Sequence, residues 1–137
     1  MKIRAAAPSD VSAVIALWAE SRSDHASVAD RCEDVERIVA ELPESLLVAE
    51  EDGEVIGVLI AAWDGWRGNM YRLAVRPERR RSGIGRALVQ AGEESLRRRG
   101  AQRVTALVAF DDRVAAGFWD AVGYPTDRQI GRRVRNL

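Results

Sequence analysis

The segment Val75-Arg76-Pro77-Glu78-Arg79-Arg80-Arg81-Ser82-Gly83-Ile84-Gly85-Arg86 constrains this chain more than any other. A strand predicted over Asn69 to Val75 leads in and is closed by Pro77. A strongly basic loop follows, and two glycines then open a helix predicted over Gly83 to Arg99. That helix ends on three arginines and Gly100, which is favourable chemistry for a C-terminus. The first N–H groups of a helix have no partner inside it, and with the macrodipole they favour a bound anion. Gly83 and Gly85 remove side chains where a backbone must approach a diphosphate closely. Arg80, Arg81 and Arg86 add charge-assisted contacts. A Rossmann reading fails, because no first βαβ unit precedes and no acidic residue closes a strand about 20 residues on. A P-loop reading fails because no Gly-Lys-Ser/Thr follows. The plainer alternative is a basic surface loop ahead of a glycine-started helix.

Elements of different type alternate around this segment. Met1 to Ala6 reads as a short strand. Pro8, Ser9 and Asp10 suit the first turn of a helix, and Val11, Val14, Ile15 and Trp18 continue it at i, i+3, i+4 and i+7. A polar loop is expected from Glu20 to Asp30 and a second helix from Cys32 to Leu42, stopped by Pro43. Ser45 to Glu50 and Glu54 to Trp63 read as strands joined by a hairpin at Asp52-Gly53. Gln102 to Phe110 reads as a strand. Asp112 to Val122 reads as a helix with Val114, Ala115, Phe118 and Val122 on one face and Gly123 as its stop. The tail from Tyr124 is expected to add one or two short strands. The order β-α-α-β-β-β-α-β-α-β predicts an α/β domain with a mixed central sheet, hairpins first and then one helical crossover.

At 137 residues the chain is expected to be a single domain, 1–137. No run of about 18 apolar residues exists and no signal-peptide pattern opens the chain, so no membrane association is expected and the expected location is cytoplasmic. Cys32 is the one cysteine and His25 the one histidine, which argues against a disulfide framework or a protein-built metal site. The chain holds 21 Lys and Arg against 21 Asp and Glu, but unevenly. Residues 33–54 carry nine acids and one base, Arg37, whereas residues 67–103 carry eleven arginines and three acids. Two solvated faces of opposite sign, or an anionic ligand on one side and a cationic one on the other, both fit. Nucleic acid is not expected, since Arg79 to Arg81 lack interleaved aromatics or a recognition helix.

Arg80-Arg81-Ser82-Gly83-Ile84-Gly85 resembles the coenzyme A motif of the GNAT superfamily of N-acetyltransferases, Arg/Gln-x-x-Gly-x-Gly/Ala. The lead-in Leu73-Ala74-Val75-Arg76-Pro77 and the later Phe118-Trp119-Asp120-Ala121-Val122-Gly123-Tyr124 are similar to the same family, as is the order of elements. The resemblance implies a GNAT-like sheet whose parallel strands splay to form a slot for acetyl-CoA. Leu73, Ala74 and Val75 would line that slot. Residues 81–86, namely Arg81, Ser82, Gly83, Ile84, Gly85 and Arg86, would meet the pyrophosphate. It also implies direct transfer of acetyl from acetyl-CoA to a primary amine, of a small molecule or of a protein N-terminus or lysine. A backbone N–H near Leu73 or Ala74 would steady the developing oxyanion. In relatives a Tyr on the last helix protonates the leaving thiolate, and an Asn often starts that helix; Trp119 and Asp112 hold those cofactor-side positions here. Tyr71 and Tyr124 are the remaining candidate catalytic phenols, and deprotonation of the amine through water is the expected route.

The resemblance places the acceptor among Trp18, Glu20, Asp24, His25, Trp63, Asp64, Trp66 and Arg67. The turn Trp63-Asp64-Gly65-Trp66-Arg67-Gly68 is similar to the Asp-Gly-x-Arg-Gly turn of a small bacterial subgroup. A tight turn between strands explains most of it, but Trp66 is expected to be exposed and free to cover a ligand. Relatives often associate through C-terminal strands, which leaves a homodimer open. The other functional reading is an acyl-CoA-binding module that regulates a partner without turnover.

Overall fold

The computed structural model describes residues 1–21 and 28–137, and these form two compact units, Met1–Leu107 and Val108–Leu137. The first unit is built on a five-stranded sheet: β1 (Lys2–Ala5), β2 (Leu46–Glu51), β3 (Glu54–Trp63), β4 (Gly68–Val75) and β5 (Val104–Ala106), in that spatial order. The first three pairings are antiparallel and β4 with β5 is parallel, so the sheet is mixed as expected. Helices α1 (Val11–Glu20) and α2 (Cys32–Glu41) connect β1 to β2, and α3 (Ile84–Arg99) is the crossover from β4 to β5.

Local chemistry accounts for these elements. Pro8 opens a 3-10 turn into α1, and the Asp10 carboxylate accepts the Ala7 N–H at 2.7 Å. Val11, Val14, Leu17 and Trp18 then form the buried stripe of α1, one face of a 3.6-residue period. Asp52 and Gly53 join β2 to β3 with φ of 52° and 77°, the left-handed pair that a tight hairpin requires. In β3, Val55, Ile56, Val58, Leu59 and Ala61 are all buried. This is the near-continuous apolar run of a strand covered on both faces. On one face Val58 joins Val11, Val14 and Trp18 in the core cluster; on the other, Gly57 admits the Ile84 and Leu88 side chains of α3. Arg99 pins the end of α3, donating to the Ala61 carbonyl at 2.8 Å and to the Ser95 hydroxyl at 3.0 Å.

The second unit contains α4 (Arg113–Ala121), whose first turn is capped by the Asp112 carboxylate accepting the Ala115 N–H at 2.9 Å. Three expectations change. The strand expected over Gln102 to Phe110 shortens to three residues, Val104–Ala106, because its partner β4 offers a ladder only over Gly68 to Met70. The tail from Tyr124 forms no strand. It alternates arginines with isolated apolar residues, and Ile130, Val134 and Leu137 are exposed, so no apolar face offsets the entropy of ordering. Finally, α4 buries Trp119, whereas Val114 is exposed, so the inner face is rotated from the expected one.

Candidate functional site

Strand β5 lies beside only the start of β4. Gly68, Asn69 and Met70 pair with Val104, Thr105 and Ala106, and the Leu107 N–H reaches the Met70 carbonyl at 3.4 Å. From Tyr71 to Val75, β4 keeps β3 on one side and has no further ladder to β5 among the described residues. Strand β5 ends at Ala106, so beyond Met70 the edge of β4 that includes the backbone of Leu73, Ala74 and Val75 has no strand paired with it on that side among the described residues; this end of the β4–β5 ladder is the fork. The fork begins at an irregularity. Ile60 pairs with Tyr71 and Val58 with Ala74, so Arg72 and Leu73 together oppose the single residue Leu59. This is a β-bulge, and Arg72 takes a left-handed φ of 57° in it.

Past Val75 the chain makes the basic loop. The Arg76 N–H donates to the Ile56 carbonyl at 2.9 Å, and a 3-10 turn spans Pro77–Arg79. Arg81 and Gly83 are both left-handed, with φ of 61° and 84°, and the Ser82 hydroxyl donates back to the Arg79 carbonyl. Helix α3 starts immediately after Gly83, and no side chain caps it. Its first N–H groups therefore point out of the helix without a side-chain acceptor, as an anion site requires.

The arginines divide by partner. Arg76 pairs with Glu54 at 3.1 Å, and Arg79 pairs with Glu51. Arg80 folds back, its Nε donating to the Val75 carbonyl at 3.2 Å. Arg81 and Arg86 are exposed and form no ion pair among the described residues. The sequence names Arg80, Arg81 and Arg86 together; all three are exposed and in no ion pair among the described residues, and Arg80 alone is tethered, through its Nε, to a backbone carbonyl.

Tyr71 lies half-buried at the fork. Burial first, and then the Asp64 carboxylate, push its phenol above the ordinary value, so it holds its proton at neutral pH. Asp64 accepts the N–H groups of Arg67 at 2.6 Å and Trp66 at 2.7 Å, and these bonds hold its carboxyl below the usual range. The turn, closed by these two bonds, presents the Trp66 indole, 83% exposed. Trp63 packs beside Gly100 at the far end of α3, where an added Cβ would lie 3.6 Å from the indole. A 16-residue helix is about 24 Å long, so Trp63 and the Gly83 loop sit at opposite ends of it.

In the second unit, the Trp119 ring meets Tyr124 edge-on at 5.1 Å and Phe118 at 5.4 Å, and the Tyr124 N–H donates to the Trp119 carbonyl at 2.8 Å. Asp112 commits one carboxylate oxygen to capping α4. His25 and Asp24 lie outside the described residues.

One feature escapes the sequence reading. Arg72 reads there as an ordinary strand residue, yet its carbonyl accepts the Trp18 indole N–H at 2.8 Å, its guanidinium lies 4.9 Å from the centre of that ring, and it pairs with Asp30. No local pattern signals this, because the partners lie 54 and 42 residues away.

Comparison with known proteins agrees with this geometry. A sequence model described as the acetyltransferase (GNAT) family matches residues 12–124. An acetyltransferase of Pectobacterium atrosepticum is 35% identical over 136 residues, covering 92% of this chain and 89% of its own length. Ard1 from Thermoplasma volcanium superposes with a TM-score of 0.78 at 24% identity, over 89% of this chain and 80% of that one. A Mycobacterium tuberculosis protein solved in complex with CoA superposes with a TM-score of 0.70 at 26% identity, over 90% of this chain and 70% of that one.

Proposed function

We propose, since this chain belongs to the GNAT family of acetyltransferases, that the β4–β5 fork and the loop at residues 76–86 hold acetyl-CoA for transfer to a primary amine. The chain is an acetyl-CoA-dependent N-acetyltransferase. The observation that carries the site is the opening of α3. A Cβ added at Gly83 would meet nothing within 4 Å, the helix N-terminus has no side-chain cap, and Arg81 and Arg86 beside it are exposed and form no ion pair among the described residues. That donor set fits a pyrophosphate. The family match runs through both compact units, which supports reading residues 1–137 as one transferase domain.

The thioester supplies an acyl carbon open to attack by a neutral amine. The edges of Leu73, Ala74 and Val75 orient the arm that carries it, and a backbone N–H of Leu73 or Ala74 donates to the charge that develops on the acyl oxygen. Most of the rate gain comes from this positioning. As the C–N bond forms and the C–S bond breaks, the ammonium proton leaves through water and the thiolate takes a proton back. Tyr71, held protonated by its surroundings, is a donor rather than a base. Tyr124 is the second candidate donor. Asp64, held ionised beside the exposed Trp66, is suited to attract a cationic amine. The acceptor belongs either to a small molecule or to a protein N-terminus or lysine.

Thiol release from acetyl-CoA, measured with free amino acids, polyamines, amino sugars and peptides, tests this reading. Acceptor-dependent release of one thiol per amide supports it. Tight acetyl-CoA binding with no acceptor-dependent release would instead indicate a regulatory acyl-CoA-binding module. Tyr71→Phe and Tyr124→Phe then identify the proton donor. The true donor costs about 10²-fold in kcat when replaced, and losses below about threefold in both variants assign the proton to solvent.

A further inference from the structure

We propose that Trp18, Arg72 and Asp30 form a clasp that positions the β4 bulge, and through it the backbone N–H groups that meet the acyl oxygen. The inference rests on the reading of the fork as the acyl site. Arg72 holds a φ of 57°, a conformation disfavoured for any residue with a Cβ, and such a residue persists only where its surroundings over-determine it. Three contacts converge on it. The Trp18 indole donates to its carbonyl at 2.8 Å, the same ring lies under its guanidinium at 4.9 Å, and Asp30 takes up its charge. The guanidinium Nε is buried without a hydrogen-bond partner, so stacking and the ion pair hold this side chain in place of a complete set of bonds.

Position in the fold gives the clasp its role. Met70 is the last residue of β4 paired with β5, and Arg72 lies two residues on, just past the end of that ladder. The bulge turns the Arg72 carbonyl out of the ladder toward α1, and the peptide that follows it presents the Leu73 N–H. Trp18 is 4% exposed and fixed in the core of α1, so it is a rigid reference for that carbonyl. Asp30 stands two residues before α2, which ties the α1–α2 connection to the same point. Packing alone would need an aromatic ring at position 18. It would need neither the N–H bond to a strand carbonyl nor a left-handed arginine.

Isotope-edited infrared spectroscopy of [1-13C]acetyl-CoA on the full chain reads carbonyl polarisation directly. In the unmodified protein the carbonyl stretch is expected to fall below that of free acetyl-CoA. Trp18→Phe keeps the ring and removes the donor; Arg72→Ala removes the guanidinium and disfavours the left-handed backbone. Both are expected to return the stretch toward the free value and to lower kcat about tenfold, with acetyl-CoA affinity within about twofold, a fraction of what loss of a direct oxyanion donor costs. Arg72→Gly, which accepts a positive φ, should retain more of the shift than Arg72→Ala. A stretch as low in folded Trp18→Phe and Arg72→Ala as in the unmodified protein overturns the clasp while leaving the acyl site standing. No shift in the unmodified protein sinks the acyl-site reading itself. Should Trp18→Phe fail to fold, the Arg72 pair decides: equal shifts in Arg72→Ala and Arg72→Gly reject the proposal.

Discussion

Two costs that usually travel together separate at Gly83. Its φ of 84° strains any side chain, yet the space around it is open. Gly83→Ala is therefore expected to lose about 1 kcal/mol of stability through backbone strain alone, with CoA affinity within a few-fold. Gly83→Asp should lose the same stability and at least about tenfold in CoA affinity, because a carboxylate then stands in the anion site. Thermal melts and calorimetry separate the two, and unchanged affinity in folded Gly83→Asp would remove the pyrophosphate from this loop. Asp10 is the opposite case, a 7%-exposed carboxylate whose partners are all local. Arg4 donates to it at 2.6 Å and the Ala7 N–H at 2.7 Å, and Arg4 above all holds its pKa below the ordinary value. The folded pKa lies below the unfolded one, near 3.9, so the stabilisation is complete above about pH 4 and disappears as pH falls through the folded value. Asp10→Asn should cost about 1.5–3 kcal/mol at pH 7 and show a flatter loss of stability below pH 4, checked by urea titrations at both pH values.

For the elements, the contact between β3 and α3 couples stability to the site. A Cβ at Gly57 would come within 3.0 Å of Ile84 Cγ2 and Leu88 Cδ1, and Ile84 is the first residue of α3. Gly57→Ala is expected to cost about 1–3 kcal/mol by overpacking and to weaken CoA binding as well, because the helix start must lift from the sheet. A destabilised variant with unchanged CoA affinity would show that the helix start does not depend on this packing. Most elements are legible in sequence because their signals are local: the Asp52-Gly53 turn, the period of α1 and the basic end of α3. The misread strand at 102–110 is instructive. Val104, Ala106 and Val108 alternate well enough for a strand, but a strand lasts only as long as its ladder, and the ladder to β4 ends at Met70.

Across the whole molecule the uneven charge acquires a use. The end of the acidic stretch meets the start of the basic one, with Glu51 on Arg79 and Glu54 on Arg76, so the formal neutrality is partly an internal pairing. Exposed pairs of this kind contribute little to stability, about 0–1 kcal/mol each. Their consequence is selective, since they occupy Arg76 and Arg79 and leave Arg80, Arg81 and Arg86 outside any ion pair among the described residues. Arg81→Ala and Arg86→Ala should each weaken CoA binding about tenfold, and Arg76→Ala by less than about threefold. Binding by the unmodified protein should weaken as salt rises from 0.05 to 0.5 M, and less steeply once Arg81 and Arg86 are both replaced. Calorimetry across that range reads both effects, and an equal loss from all three arginines would contradict the division.

Sequence alone determined the order of elements as far as α4, the mixed sheet and the glycine-led start of α3 behind a basic loop, since each rests on residues within a few positions of one another. Periodicity, turn chemistry and unsatisfied helix N–H groups act over that range. The tertiary structure decided which arginines of the loop enter ion pairs, how far β5 runs beside β4, and that Arg72 sits left-handed with its guanidinium over an indole. Those features depend on Glu51, Glu54, Trp18 and Asp30, residues at least 22 positions from the arginines they meet. Long-range partners of this kind leave no periodic trace in a sequence, because the close approach that creates them exists only once the sheet and its helices have packed.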